Sequence, residues 1–420
     1  MIEEIQKRPF VRPLFCWIAG IILQVCFPLQ QLSFVLLLPV IIVVVLSLFF
    51  SDRRMVAYHT RWMWGMLMFC LFIFLAIQTT ALAEPYLNTP SNPGWLRESA
   101  RRLQEYMVGK LDLLDLDSSE KSLLATLTVN YRKAMSWELR NQFSATGVAH
   151  LLSVSGFHVG IVAAFLSTIF SVLPKSSVFQ WVRFVLLLLS IWTFAYIAGL
   201  SAPSVRAALM LTIYLVGKQL QHRPDRYNTL AAAAFCMLVY NPFNLFDVGF
   251  QLSFIAVFFI LYLQPRFYRL IDVRNPLIAA PWGVLTVTVA AQIGTIFLCC
   301  YYFGKISTVF LFTNLILSLL ATVLIPMVLF YMLLPTGIPG YEWLQVIIEF
   351  LTRGMIWIVN RFSQLPGATF SLRFDFVTLI CSYVILGFIL YYFRSKRPRI
   401  LLIALTFLLF VLCRQVILLY

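Results

Sequence analysis

Charge is what this sequence most lacks. Only 12% of its 420 residues are Asp, Glu, Lys or Arg, while 61% are hydrophobic. A soluble domain carries about 25% charged and roughly 45–50% apolar residues. Half that charge cannot cover a water-soluble globule of this size with polar groups, and intrinsic disorder needs the opposite composition. Acid is scarcer than base: 17 Asp and Glu against 32 Lys and Arg leave a formal charge of +15. Paired cysteines are missing as well. Cys16, Cys26, Cys70, Cys236, Cys299, Cys300, Cys381 and Cys413 all fall in apolar stretches, with no CxxC among them. They read as small apolar fillers, not disulfides or metal ligands. No Walker A motif, dinucleotide fingerprint, GxSxG or HExxH occurs, so nothing points to a nucleotide-driven motor, a serine hydrolase or a zinc peptidase. No tandem repeat or low-complexity tract stands out.

Long apolar runs fill the space. They lie at Leu14–Leu29, Leu32–Phe50, Trp62–Ala83, Val148–Leu173, Val178–Leu200, Val205–Leu220, Thr229–Phe246, Val248–Leu263, Leu277–Phe303, Ser307–Leu334, Trp343–Phe362, Phe374–Phe393 and Ile400–Leu419. At about 20 residues per crossing this predicts an all-α polytopic membrane protein, a bundle of about 11–13 transmembrane helices. The first run follows Lys7, Arg8 and Arg12 and imitates a signal peptide, but Gln24, Pro28 and Gln30 break its end and no small-residue cleavage site follows, so it reads as a span. Three runs are interrupted. Val148–Leu173 contains Ser153, Ser155, Gly156 and His158, Val205–Leu220 begins in Ser-Ala-Pro-Ser, and Asn241-Pro242 breaks Thr229–Phe246. Such breaks survive only where protein or a wet cavity satisfies the freed backbone groups.

Basic residues set an expected orientation. With the N-terminus inside and strict alternation, the inner segments hold Lys7, Arg8, Arg12, Arg53, Arg54, Arg61, Lys175, Arg183, Lys218, Arg223, Arg226, Arg266, Arg269, Arg274, Arg394, Lys396, Arg397 and Arg399. The short outer loops hold only Lys305, Arg361 and Arg373. This predicts an N-terminus that is cytoplasmic and a C-terminus that is extracytoplasmic. One long polar segment, 84–147, then lies outside. It divides the chain into N-terminal spans at 1–83, the extracytoplasmic segment, and a membrane domain at 148–420. Pro85, Pro90 and Pro93 give the segment an extended start. Apolar spacing predicts an amphipathic helix over Trp95–Leu114, a second over Ser118–Val129 without a full capping box, and a third over Ala134–Phe143.

Polar residues concentrate in a few places. The densest is His150-Leu-Leu-Ser153-Val-Ser155-Gly156-Phe-His158-Val-Gly160. On an unbroken helix the two histidines sit about 12 Å apart on one face, too far to share a metal. They read either as helix caps and neighbour-bonded groups or as acid–base groups brought closer by a break at Gly156. A second cluster runs from Ala198 to Met210. Pro203 suits a first helical turn behind Ser201 or Ala202, Ser204 and its small neighbours allow close backbone approach, and Arg206 sits one turn into a span. An arginine there is paired or lines a wet path: it suits an anion such as a phosphate, or it pairs with Asp247 or snorkels. A third cluster, Asn241 to Ser253, sets Asp247 and Gln251 one turn apart on one helix face. Gln292, Thr295 and Asn314 are weaker polar points on two late runs, each alone a helix-packing hydrogen bond.

Together these clusters resemble the ComEC-type competence protein family of inner-membrane DNA-uptake channels. The His150–Gly160 stretch is similar to the family's most characteristic motif. Phe143–Gly147 before it, then Gly199–Met210, Pro242 through Asp247 to Ser253, Ala291–Gly294 and Thr313–Asn314 follow in the family's order and approximate spacing, over about Ser118–Phe393. The resemblance implies passage of single-stranded DNA during natural transformation through a pore built by the broken spans. His150, Ser153, Ser155, Gly156, His158, Ser204, Arg206, Asp247, Gln251, Gln292 and Asn314 would line or gate it, Arg206 meeting phosphates and Asp247 holding Arg206 or a gate. It implies no enzyme activity, cofactor or metal in this part. The OB-fold-like and metallo-β-lactamase-like domains of full-length members have no counterpart in these residues, so a DNA receptor, a nuclease and a cytosolic helicase or translocase are expected as separate partners beside the lipid bilayer. The alternative is a transporter of a smaller anionic substrate on the same fold. An intramembrane hydrolase built on His150, His158 and Ser155 would need a carboxylate to orient a histidine, and the motif holds none.

Overall fold

The structure, a computed structural model, describes residues 8–50, 61–86, 94–220, 225–335 and 339–419. Lys7, Arg53, Arg54, Arg223, Pro90 and Pro93 lie outside them. Helix dominates: α1 (Val11–Cys26), α2 (Leu37–Phe50), α3 (Arg61–Ala83), α4 (Trp95–Gly109), α5 (Ser118–Val129), α6 (Trp137–Ala145), α7 (Gly156–Phe170), α8 (Ser177–Ile197), α9 (Ala202–Gln219), α10 (Arg226–Tyr240), α11 (Val248–Tyr268), α12 (Pro276–Tyr302), α13 (Phe310–Leu333), α14 (Tyr341–Ser363), α15 (Phe376–Ser395) and α16 (Pro398–Leu419). The two short strands, β1 (Lys305–Ser307) and β2 (Thr369–Ser371), pair antiparallel with Ile306 opposite Phe370. The protein is an all-α polytopic membrane protein.

Six helices are long and apolar enough to cross a bilayer by length and composition: Gly65–Ala83, α8, α11, α12, α13 and α15. Val11–Cys26, Leu32–Ile42 and Gly156–Phe170 are apolar but shorter, and two of the interrupted runs break for local reasons. The run at Val148–Leu173 is not one helix: a 3-10 turn at Ala149–Leu152 precedes α7. The run at Thr229–Phe246 ends its helix at Tyr240, because Asn241 adopts an extended backbone before Pro242. In the polar segment Pro85 sits in a 3-10 turn, Glu84–Tyr86. The amphipathic helix stops at Gly109 and continues as a 3-10 turn, Lys110–Leu113. α5 occupies the expected residues but does carry a full capping box: Asp117, one residue ahead of Ser118, caps it together with Glu120. The third helix begins at Trp137, capped by Ser136.

The chain divides into two compact units. The first comprises Met1–Ala134, Ser153–Phe254 and Thr322–Glu349. Its core gathers Trp17, Ile21, Ala76, Ala234, Leu238 and Phe250 from α1, α3, α10 and α11. Gly20 has no room for a side chain, since a Cβ there would stand 2.6 Å from Ala76 Cβ, so α1 and α3 touch backbone to backbone. The polar segment is built into this unit. Every residue from Ser122 to Val129 is buried, so α5 is enclosed on all sides. α4 buries Ala100, Gln104 and Met107 and turns charge outward, where Lys133 and then Arg101 hold the Glu105 carboxyl below its usual range. The turn after α13 also rests on this segment. Lys110 Nζ donates to Leu334 O at 3.2 Å, Gln345 Nε2 to Leu113 O at 3.2 Å, and the Asp115 N–H to Glu349 at 2.8 Å.

The second unit comprises Met135–Leu152, Ile255–Ala321 and Phe350–Tyr420. Phe259, Leu263 and Ala290 form its core with Tyr383, Leu386 and Leu390 against them. Gly294 is the contact point: a Cβ there would stand 2.6 Å from the Phe259 ring, and Tyr383 Oη donates to the Gly294 carbonyl at 2.8 Å. The β1–β2 pair ties the turn between α12 and α13 to the turn between α14 and α15.

Candidate functional site

The polar motif divides at the end of its 3-10 turn. Ser153 to His158 belong to the first unit and His150 to the second. Gly156 opens α7 because Ser155, in an extended backbone conformation, caps it. The Ser155 N–H donates to His158 Nδ1 at 3.3 Å, and Ser155 Oγ lies 3.1 Å from the same nitrogen. A ring nitrogen that accepts a backbone N–H carries no proton, which leaves the proton on Nε2. His158 is fully buried and acts as the third member of a capping box. Ser153 is half-buried. Val154 N–H reaches Asn130 Oδ1 at 3.4 Å, so the end of α5 fixes the entry to α7.

Arg206 is the centre of the first unit's site. Ser201 caps α9 with Pro203 in its first turn. Ser204 is fully buried and donates to the Ser201 carbonyl at 2.8 Å. One turn in, Arg206 has 5% of its side chain exposed, and its Nη1 lies 3.6 Å from Asp247 Oδ1. Nη2 donates to Ser253 Oγ at 3.3 Å. Asp247 itself precedes α11, accepts the Phe250 N–H at 2.7 Å and keeps 53% of its side chain exposed. Gly249 packs closely here: a Cβ would stand 3.1 Å from both Arg206 Nη2 and Asp247 Oδ1. Gln251, half-buried, donates from Nε2 to Leu245 O at 2.9 Å. α7 closes the cluster on another side, with Gly156 against Ala207.

The second unit holds a different network. His150 is accessible at the surface, and hydrogen bonds link it to the Asn314 side chain and the Gly147 backbone. Asn314 Nδ2 donates to Thr288 Oγ1 at 2.6 Å, and Ser318 Oγ donates to Asn314 Oδ1 at 3.0 Å. Thr313 beside it donates to the Thr146 carbonyl at 2.7 Å. Gly147, at φ +76°, fits between Ser307 and Phe310 and turns the chain into the 3-10 turn that carries His150. Gln292 is half-buried on α12. Among the described residues no group of three His, Cys, Asp or Glu could hold a metal.

The sequence reading passed over Asn130 and Gln104. Asn130 follows the last apolar residue of α5 with a left-handed backbone, φ 61°, the position where Asn closes a helix. Gln104 was visible as the one polar residue on the buried stripe of α4. It donates to the Val129 carbonyl and packs against Gly199.

A family model described as Competence protein matches residues 127–397, a stretch that contains both networks. ComE operon protein 3 of Bacillus subtilis (strain 168) is 35% identical over 199 residues, which is 47% of this chain and 24% of that protein. The chain thus matches only about a quarter of that relative's length. No solved structure matches.

Proposed function

The chain belongs to the Competence protein family, and on that premise we propose that it is the membrane channel through which single-stranded DNA enters the cell during natural transformation. The observation that carries this reading is the family match over 127–397, which spans every polar cluster in the apolar part of the chain. The physics of those clusters supports it. A polyanion needs a wet, positively biased path. Arg206, set one turn into an apolar helix, supplies charge, and His150, accessible and oriented by Asn314, supplies a donor or acceptor on the way. Asp247 holds Arg206 in place while no phosphate is near. Ser155, Gly156 and His158 set the break at the start of α7, and Ser204 sets the close approach of α9. Gln251 and Gln292 serve as secondary polar contacts. The division into 1–83, 84–147 and 148–420 is one of function: anchoring spans, an outer segment and the channel domain.

We place the N-terminus in the cytoplasm and the 84–147 segment outside. Strict alternation through every apolar run would then set the turn after α13 inside the cell. Leu334 of that turn is bonded to Lys110, and Gln345 and Glu349 in the first turns of α14 are bonded to Leu113 and Asp115 of the outer segment; in this reading α13 and α14 leave and return to the same face and the chain makes about 11 crossings, at about 20 residues each. Parity is preserved, and Arg394–Arg399 stay inside. In a cysteine-free background, a Pro339→Cys chain is expected to react with a membrane-impermeant thiol reagent on intact spheroplasts, as a Lys305→Cys chain does. Labelling only after lysis, as for Lys396→Cys, would restore the full alternation.

The functional test is entry of labelled DNA into the cytosol of a transformable strain with and without the chain. Loss of entry on deletion, with recovery on complementation, supports the channel. Unchanged entry removes DNA as the substrate and leaves a smaller anion.

A further inference from the structure

Two helices begin at Arg206, and a third begins beside the next residue of α9. α9 starts at Ala202, one turn before it. α11 starts at Val248, and its Gly249 backbone lies against the guanidinium. α7 starts at Gly156, packed on the neighbouring Ala207. Each helix start carries the equivalent of roughly half a positive charge, so the starts add to the charge of Arg206 instead of offsetting it. Arg206 is 4% exposed, and its Nε has no hydrogen-bond partner among the described residues. Among the described residues Asp247 is the carboxylate paired with it. That carboxylate is half exposed and set at 3.6 Å from Nη1, looser than a direct charged hydrogen bond of about 2.7–2.9 Å. Its other contact is the Phe250 N–H in the first turn of α11.

We infer that this is a built binding site for one tetrahedral phosphate anion, and that the Asp247 carboxylate occupies the anion's place until it is displaced. When the exposed Asp247 side chain swings out, it frees the Phe250 N–H and Arg206 Nη1. The Ser253 hydroxyl already stands beside Nη2. Backbone N–H, guanidinium and hydroxyl are the donor set that a phosphate takes at a helix start. The inference rests on the channel reading for the identity of the ligand as a backbone phosphate of DNA. The site itself takes a free phosphate by the same chemistry. A carboxylate that competes with each passing phosphate keeps the site from holding the strand.

The test is equilibrium binding of inorganic phosphate, and separately of a short oligothymidylate, to the full chain purified in detergent. Arg206→Gln should weaken phosphate binding at least tenfold, while Arg206→Lys retains part of it. Asp247→Asn should tighten binding about threefold or more, because the competing charge is gone. Ser253→Ala, which leaves the ion pair in place, should weaken it by a smaller factor. Phosphate should displace the oligonucleotide if the two share the site. Weaker binding in Asp247→Asn, in a variant that elutes as wild type, would overturn the inference by making Asp247 a ligand or a strut. Phosphate bound through Arg206 in a chain whose deletion leaves DNA entry unchanged would keep the site and discard the channel. Loss of DNA entry on deletion, with no phosphate binding dependent on Arg206, would do the reverse.

Discussion

Arg206→Glu is expected to lower DNA entry by about a hundredfold or more relative to the amount of chain in the membrane. The substitution sets two carboxylates face to face where Nη1 and Asp247 Oδ1 now lie 3.6 Å apart. The pair is half exposed on its Asp247 side, so losing it costs less than the about 3–5 kcal/mol of a fully buried pair, and like charges at that distance add to the cost. A passing phosphate then meets a negative side chain at the start of two helices. Fold and function separate through the swapped pair. Arg206→Glu with Asp247→Arg restores an opposite-charge pair, so it should recover chain abundance in immunoblots while DNA entry stays low, because the cation now stands on the exposed side. Entry at wild-type levels in the single variant would remove Arg206 from the path.

Gly147→Val should unfold the second unit's polar network. Gly147 sits at φ +76°, and a Cβ there would stand 2.6 Å from Phe310 Cβ and 2.9 Å from Ser307 Cβ. A left-handed backbone costs an L-residue about 1–2 kcal/mol, and forcing volume into a packed site costs typically 1–3 kcal/mol more. The expected loss is therefore about 2–5 kcal/mol, read as a fall in the unfolding midpoint of the detergent-solubilised chain. Gly367→Val separates the terms. Its φ is +79°, but nothing lies within 4 Å of its Cβ position, so it should show the backbone cost alone. Equal losses at the two glycines would refute the packing argument. The Gly147 variant should also lose the His150–Asn314 contact, since Gly147 aims the turn that carries His150.

These two sites show how far the residues could be read in advance. The fold class followed from charge scarcity and the long apolar runs, and α5 was found at its own boundaries from its apolar residues, although its Asp117 cap and its closing Asn130 were both missed. Arg206 and Asp247 were legible as partners, since an arginine inside an apolar helix needs an anion and few were in reach. The break in the His150–His158 stretch was less legible. Helical spacing puts both histidines on one face, but Ser155 caps a new helix at Gly156 and sends each histidine to a different unit. Thr288 was invisible as the partner of Asn314, because a threonine in an apolar run ordinarily bonds its own helix, as Thr295 does with Ala291. The turn after α13 was beyond reach for a related reason. Alternation assumes that every apolar run crosses, and the contacts of Lys110 with Leu334 and of Gln345 with Leu113 could not be read from spacing.

α5 has a consequence for how the protein is made. Its enclosure depends on residues that the ribosome has not yet produced when it emerges: Val154 bonds Asn130 at its end, and the Gly199 turn packs against Gln104, which holds its last carbonyl. At about 5–20 residues per second, the interval from Val129 to the end of α9 at Gln219 lasts roughly 5–20 s. Through that interval Leu123, Leu124 and Leu127 have no completed pocket to enter. α5 therefore gains these contacts only after Val154 and Gly199 have been made.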